Sequence, residues 1–328
     1  MKDNLDPSIP LPDPRSDRPV TLGHRIEYAL MRALFAFFHL LGLDAASALA
    51  GQFMRVVGPR IRPISRRGED NLRLVFPEWS EAQIRQAIAD VWENLGRTAA
   101  EYAHLEKLTT RGPDPRITVQ GVEDILHVFD DPGRAVFVSG HFANWEVSGI
   151  AAHELELKFG LIYRSLNNPL VDGYILEKRA RVTTRRQIPK GPAGARPMID
   201  LLKEGLSIAI LADQKLNSGG VSVPFLGHMA MTAPVAARIS LRFGLPVIIT
   251  STERTNGAHF RVTTHPPIDF TPSGDFAADI KTLTTRINEA LERDIRARPG
   301  QWLWFHRRWP KNTMAEASSA RHSLQTPS

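Results

Sequence analysis

From Pro113 and Pro115 onward the chain alternates short runs rich in β-branched and aromatic residues with longer stretches of helical periodicity. That alternation argues for an α/β fold, a mixed central sheet flanked by helices. Strands are expected at 117–120, 135–139, 161–163, 207–211, 221–225, 247–252 and 259–263. The last two flank Asn256-Gly257, a strong hairpin signal. Helices fit between them at 122–129, 144–155, 169–185, 195–203, 232–243 and 275–296. Asn168 precedes Pro169 as an N-cap, and Gly205 and Gly244 sit where helices end.

Upstream the pattern is helical. Ser80 followed by Gln83 has the form of a capping box ahead of Ile84, Ile88, Val91, Trp92 and Leu95, so a long helix should run from there to about Lys107. The segment 24–50 has no uncharged run longer than Ala33 to Leu43, short of the ~20 residues that span a bilayer. Arg25, Arg32 and His39 share one helical stripe, and Leu30, Leu34, Phe38 and Leu41 fill another face. This is the pattern of an interfacial anchor, or of an amphipathic helix packed on the body. Residues 1–20 and 312–328 lack apolar periodicity and read as disordered tails, neither resembling a cleavable signal peptide. The expected organisation is a helical, membrane-associated region at 21–110 and an α/β core at 111–311.

The 328 residues include no cysteine, which removes disulfides, thiolate metal ligands and any acyl intermediate carried on sulfur. The charge excess is +6, and its placement matters more than its size. Arg55, Arg60, Arg62, Arg66 and Arg67 follow the most apolar stretch with no acid between Asp44 and Glu69, as a collar facing anionic headgroups would. Lys178, Arg179, Arg181, Arg185, Arg186 and Lys190 form a second block that suits an acidic carrier protein or a phosphorylated ligand, unless it is a solvated basic helix.

The strand expected at 135–139 runs directly into Gly140, His141, Phe142, Ala143, Asn144, Trp145 and Glu146. Ligands of open α/β sheets sit at the carboxyl ends of strands, so this turn is the first candidate for chemistry. On a continuous helix His141 and Glu146 would point about 140° apart. His141 is therefore expected on the turn and Glu146 in the first turns of the helix, its carboxylate reaching back to fix the imidazole tautomer while the other ring nitrogen takes a proton from an alcohol. There is no G-x-S-x-G elbow, no H-E-x-x-H zinc motif, no G-x-G-x-x-G and no P-loop. A base without a protein nucleophile suits direct attack by a substrate hydroxyl on an activated acyl thioester, with neither metal nor cofactor called for.

The stretch from Ser139 to Glu146, SGHFANWE, resembles the signature of the bacterial lipid A biosynthesis acyltransferases. Further blocks resemble that family in order and spacing: Arg66-Arg67 with Asn71-Leu72 and Phe76-Pro77; Asn94-Leu95-Gly96 with Glu101; Tyr163-Arg164 with Asn167; Ala212-Asp213-Gln214; Gly220 to Gly227 with Thr232; and Pro299 to Trp309. The resemblance spans roughly residues 24 to 310. It implies transfer of an acyl chain from acyl carrier protein to a hydroxyl of a phosphorylated glycolipid, at the cytoplasmic face of the inner membrane. Glu146 favours this branch over the wider glycerolipid acyltransferases, which usually carry Asp there; mycobacterial-type phosphoinositide mannoside acyltransferases share the branch's look.

In that light Arg164 is expected at the thioester carbonyl or an acceptor phosphate, beside His141 and Glu146. Asp213, on the same sheet edge if the strands are parallel, would bind acceptor or hold Arg164. Asn144, Trp145 and Gln214 complete the expected substrate contacts, and Arg307 and Arg308 fit lipid phosphates. Trp302, Trp304 and Trp309 are expected to pack the carboxyl-terminal segment. Two other classes compete: a carrier- or membrane-binding homologue without turnover, and a nucleic-acid binder drawn by the positive charge. The intact His141 and Glu146 weigh against the first, and the lack of a reading motif or stacking platform weighs against nucleic acid as a partner.

Overall fold

The structure, a computed structural model, describes residues 4–15, 18–128, 134–216, 219–310 and 312–314. Four helices lead: α1 (Leu22–Leu41), α2 (Leu43–Val57), α3 (Arg62–Val75) and α4 (Glu81–Glu101). The stretch 24–50 is thus two helices, broken at Gly42, whose φ of 76° supplies the turn. Ser80 and Gln83 make the expected capping box of α4. The helix stops earlier than its periodicity suggests, because a 3₁₀ turn (Tyr102–Lys107) kinks at His104.

Helix α2 is a core helix on one side, with Ala46 and Ala50 buried and Ser47 donating to the buried Glu101 on α4 at 2.7 Å. A Cβ on Gly96 of α4 would stand 2.4 Å from the Ala50 carbonyl oxygen, so the glycine is what permits the close crossing. The outer sides of both helices are apolar and exposed: Ile26, Leu30 and Leu34 on α1, Leu49, Phe53 and Val56 on α2. Among the described residues no helix is long and apolar enough to cross a membrane.

The core contains strands β1 (Ile117–Gln120), β2 (Val136–Ser139), β3 (Phe159–Tyr163), β4 (Gln187–Pro189), β5 (Ser207–Leu211), β6 (Val221–Phe225), β7 (His228–Thr232), β8 (Val247–Asn256) and β9 (His259–Thr264). Helices α5 (Val147–Glu154), α6 (Pro169–Ala180), α7 (Pro192–Lys203), α8 (Val235–Phe243) and α9 (Phe276–Ala297) lie among them. Seven strands form one sheet in the order β1-β9-β8-β2-β5-β3-β4, mixed because β8 and β9 pair antiparallel while every other neighbour pair is parallel. The hairpin expected at Asn256-Gly257 joins β8 to β9.

Strands β4 and β7 were not legible as strands. β4 is three residues ending in a proline at the sheet's edge, and β7 pairs with β6 in a separate two-stranded ribbon. The amino-terminal segment, expected to be a loose tail, is held in place. Asn4 is buried and donates to the Leu157 carbonyl at 2.7 Å, the Asn4 carbonyl accepts from Arg185 N–H at 2.8 Å, and Arg18 pairs with Asp172 at 2.8 Å. The tail expected from 312 lies, beyond residue 314, outside the described residues.

Candidate active site

Register places the site. In the parallel pair β2–β5, Ser139 lies opposite Leu211, so His141 and Asp213, each two residues past the strand, arrive side by side. Asp213 is fully buried and grips His141 twice, accepting from its backbone N–H at 2.9 Å and facing its Nδ1 at 2.8 Å. Trp302 Nε1–H donates to the same carboxylate at 2.8 Å. Burial alone would raise the pKa of Asp213, but the charge of His141 when protonated and the two hydrogen bonds from His141 hold it well below the ordinary carboxylate range. A carboxylate facing Nδ1 fixes the proton there and leaves Nε2 with its lone pair. The Gln214 amide donates towards that Nε2 at 3.2 Å and towards His306 Nε2 at 2.9 Å. Burial, reinforced by the charge of His141 when it is protonated, pushes His306 down to about 4, which leaves the His306 ring able to accept that bond.

Glu146 does not meet His141, contrary to expectation; the imidazole's carboxylate partner is Asp213. The reason is the turn itself. Ala143 adopts φ +45°, a conformation costly for a residue with a Cβ. It is held there by Asn94 and Thr98, which donate to its carbonyl at 3.1 and 3.0 Å, and by its own N–H bond to Gln301 O at 2.8 Å. The turn sends Glu146 to the buried head of α5, where Arg179 binds it through two nitrogens at 2.7 and 2.6 Å and the Tyr102 hydroxyl donates to it. Burial opposes the charge on Glu146, yet Arg179 outweighs it and the pKa is lowered. Burial and Glu146 push the Tyr102 hydroxyl up, so it remains a donor.

The remaining expected site residues separate. Trp145 stands edge-on to His141 at 5.2 Å between ring centroids, and with Arg164, Lys190 and Gln214 it lines the cavity in front of His141. Asn144 does not face substrate space; it is buried and donates to Glu101 at 3.0 Å, inside an ion cluster completed by Arg254. Arg308 is equally out of reach, being fully buried over the Phe225 ring and bonded to Met231 O and Thr232 Oγ1 at 3.1 and 2.8 Å. Arg307 is exposed. The basic block does not form one patch. Arg179 turns inward, Arg185 bonds to Ile9 O, Arg186 lies 3.8 Å from Glu204, Lys190 enters the cavity, and Arg181 is exposed. Tyr102, His306 and Trp302 belong to the site without having been singled out for it.

The cavity measures about 640 Å³, within the ordinary range for small-molecule sites. It begins at His141, His306, Arg164 and Lys190 and continues under α5 along one face of the sheet. Alternation explains its lining, since Phe137 of β2, Phe159 and Leu161 of β3, Ala209 of β5 and Val262 of β9 all point to that side. Gly149, Ala151 and Ala152 of α5 are small enough to leave the space open.

The class the fold and site define is an α/β protein whose buried histidine–carboxylate pair faces a cavity that is polar at one end and apolar along its depth. The comparisons with known proteins are specific. The family model for bacterial lipid A biosynthesis acyltransferases matches residues 19–311, and the chain belongs to that family. It is 24% identical over 274 residues to the lipid A biosynthesis palmitoleoyltransferase of Escherichia coli (strain K12), covering 80% of this chain and 85% of that one. The myristoyltransferase of the same organism is 27% identical over 268 residues, with 80% and 79% covered. Its lauroyltransferase is 28% identical over 248, with 73% and 76% covered. The activity is accordingly O-acyl transfer in lipid A synthesis, with a lipid A precursor as acceptor and action associated with membranes.

Proposed function

We propose that the protein moves a fatty acyl chain from an acyl carrier protein thioester to a hydroxyl of a lipid A precursor, without an acyl-enzyme. The observation that carries this reading is the His141 imidazole, held by buried Asp213 at Nδ1 and open at Nε2 to an apolar cavity. The acceptor hydroxyl displaces Gln214 from Nε2, gives its proton to His141 and attacks the thioester carbonyl. The tetrahedral oxyanion then collapses, the carbon–sulfur bond breaks, and the departing thiolate takes the proton back from the imidazolium. Arg164, exposed at the cavity mouth and without an ion pair among the described residues, is the cation offered to the oxyanion or to an acceptor phosphate.

Glu146 is a positioning residue in this scheme, acting through Arg179 and Tyr102 on the turn that carries His141. The acyl chain lies along the trough under α5. The exposed apolar sides of α1 and α2, beside exposed Arg60, Arg62 and Arg66, rest on the cytoplasmic face of the inner membrane.

The test is purified protein with a lipid A precursor and matched acyl donors on acyl carrier protein and on coenzyme A, with products read by mass spectrometry. The acylated glycolipid should form faster from the carrier-protein donor, and no acylated protein should accumulate when acceptor is withheld. A preference for the coenzyme A donor removes the carrier protein from the scheme. A stable acyl-protein adduct that goes on to product removes direct attack.

A further inference from the structure

Away from His141, the end of α1 meets the kink after α4 in a cluster that the acyl-transfer scheme does not use. His39 lies in the last turn of α1 and is exposed, His104 sits at the kink and is fully buried, and Glu106 is exposed two residues further on. One nitrogen from each histidine and one Glu106 oxygen lie within 4.8 Å of one another. The two rings are nearly parallel, 18° apart, with centroids at 5.2 Å.

His104 is set up as a ligand. Its Nε2 lies 2.9 Å from the Phe38 carbonyl oxygen, which can only accept, so the ring proton is on Nε2 and Nδ1 carries the lone pair. That Nδ1 is buried and has no hydrogen-bond partner. A buried acceptor without a partner is costly and calls for an occupant opposite it. An imidazole that donates one N–H to a backbone carbonyl and offers the opposite nitrogen is the arrangement found in metal-ligating histidines. Among the described residues neither His39 nor Glu106 has a hydrogen bond or ion pair that would compete for its ligand atom.

We infer that His104 Nδ1, His39 and Glu106 bind a first-row divalent cation of the zinc type, with water as fourth ligand. Two imidazoles and one carboxylate suit zinc best among common ions, while calcium and magnesium prefer oxygen alone. Zinc bonds of about 2.0–2.1 Å place ligand atoms roughly 3.3 Å apart. The exposed side chains of His39 and Glu106 close that gap while buried His104 stays in place, the His39 ring turning out of its stack on His104 because an imidazole binds an ion in its own plane. No sequence motif announces the site, because two ligands come from the 3₁₀ turn and one from a helix far earlier in the chain. The ion is a clip, remote from the proton transfer. It fastens the end of α1 to the body, and Phe35, one helical turn before His39, is part of the cavity wall.

The experiment is cobalt(II) and zinc titration of the full-length protein after chelator treatment, read by visible absorption and by thermal melting. Wild type should take up one equivalent of cobalt with the intense bands of a four-coordinate site, and zinc should raise Tm. His39→Ala and Glu106→Gln, both at exposed positions, should each weaken uptake at least ~10-fold. Together they should abolish the bands and the zinc-dependent rise, while melting without metal and acyl transfer without metal stay at the wild-type level. Failure of the wild type to retain either ion at micromolar concentration overturns the assignment. So does equal uptake by wild type and the double variant, which places the ion on other histidines. Neither result bears on His141, since the acyl-transfer reading requires no ion here.

Discussion

The exchange of Glu146 for Asp213 as the partner of His141 separates two kinds of mutational effect. In the proposed scheme Asp213 sets the tautomer of the base, so Asp213→Asn should leave a folded protein with acyl transfer reduced by about 10²- to 10⁴-fold, as His141→Ala should be. The two changes together should cost little more than His141→Ala alone, because the residues act as a unit. Additive losses in the steady-state kcat/KM would show that Asp213 works elsewhere. Glu146→Gln instead leaves the buried Arg179 charge without its counter-ion, a change that typically costs a few kcal/mol of stability. It should lower Tm and the folded fraction, and Arg179→Met in the same chain should restore part of the stability. A Glu146→Gln protein with wild-type Tm and a selective loss of turnover would move Glu146 into the chemistry. His306 adds a pH signature. Its pKa falls from about 6.5 unfolded to about 4 folded, so below pH 6.5 the unfolded chain binds the extra proton and stability falls as pH drops towards 4. Replacing His306 with Gln should flatten denaturant midpoints across that window. His141 was legible because its strand and turn are local in sequence. Asp213 was legible as a residue of the same sheet edge, but its role as the imidazole's partner was not, since that follows from the β2–β5 register.

At the scale of elements, alternation along buried strands made most of the sheet readable, and the same alternation gives the cavity its lining. Ala209 of β5 faces the trough, and Ala209→Phe should shorten it. Each acyl methylene shut out forfeits about 0.8 kcal/mol, so excluding three costs about 2.4 kcal/mol, roughly 60-fold in kcat/KM for the longer donor. Shorter donors should be spared, and competition between carrier-protein thioesters of different length in one reaction measures the shift directly. Uniform loss across chain lengths would mean the acyl chain lies elsewhere. The elements that escaped reading are those whose reason for existing is not local. β4 is a strand only because β3 offers an edge, β7 only because β6 does, and the kink at His104 interrupts an unbroken helical pattern. The polar ties of the turn were hidden for the same reason. Asn144 and Arg308 carry the chemistry of substrate contacts in their side chains, but Glu101 and Thr232 claim them from within the fold.

For the whole molecule the unresolved balance is between burial and attraction at the membrane surface. The outer sides of α1 and α2 each expose apolar residues, while their inner sides carry core contacts such as Phe38, Ala46 and Ala50. That division makes truncation a poor test, because removing α2 also removes Ser47 from Glu101 and opens the packing on α4. Substitution on the outer side alone is cleaner. Leu30→Asp, Leu34→Asp and Phe53→Asp in one chain should leave the circular dichroism spectrum and Tm close to wild type and abolish most sedimentation with vesicles. Charge contributes separately. The collar read from sequence is partly spent within the protein, since Arg55 pairs with Asp90 and Glu93 at 2.5 and 2.7 Å and Arg67 donates to Phe305 O. Arg60, Arg62 and Arg66 remain exposed, Arg62 while also reaching Glu69 at 3.0 Å, and those left facing an anionic surface add about 1 kcal/mol each, fading with salt. Wild type should therefore bind anionic vesicles more tightly than neutral ones at low salt and keep an apolar remainder at high salt. The triple variant should keep only the salt-sensitive part. If wild type releases completely from anionic vesicles as salt rises, the apolar face does not enter the bilayer, and α1 and α2 serve the fold alone.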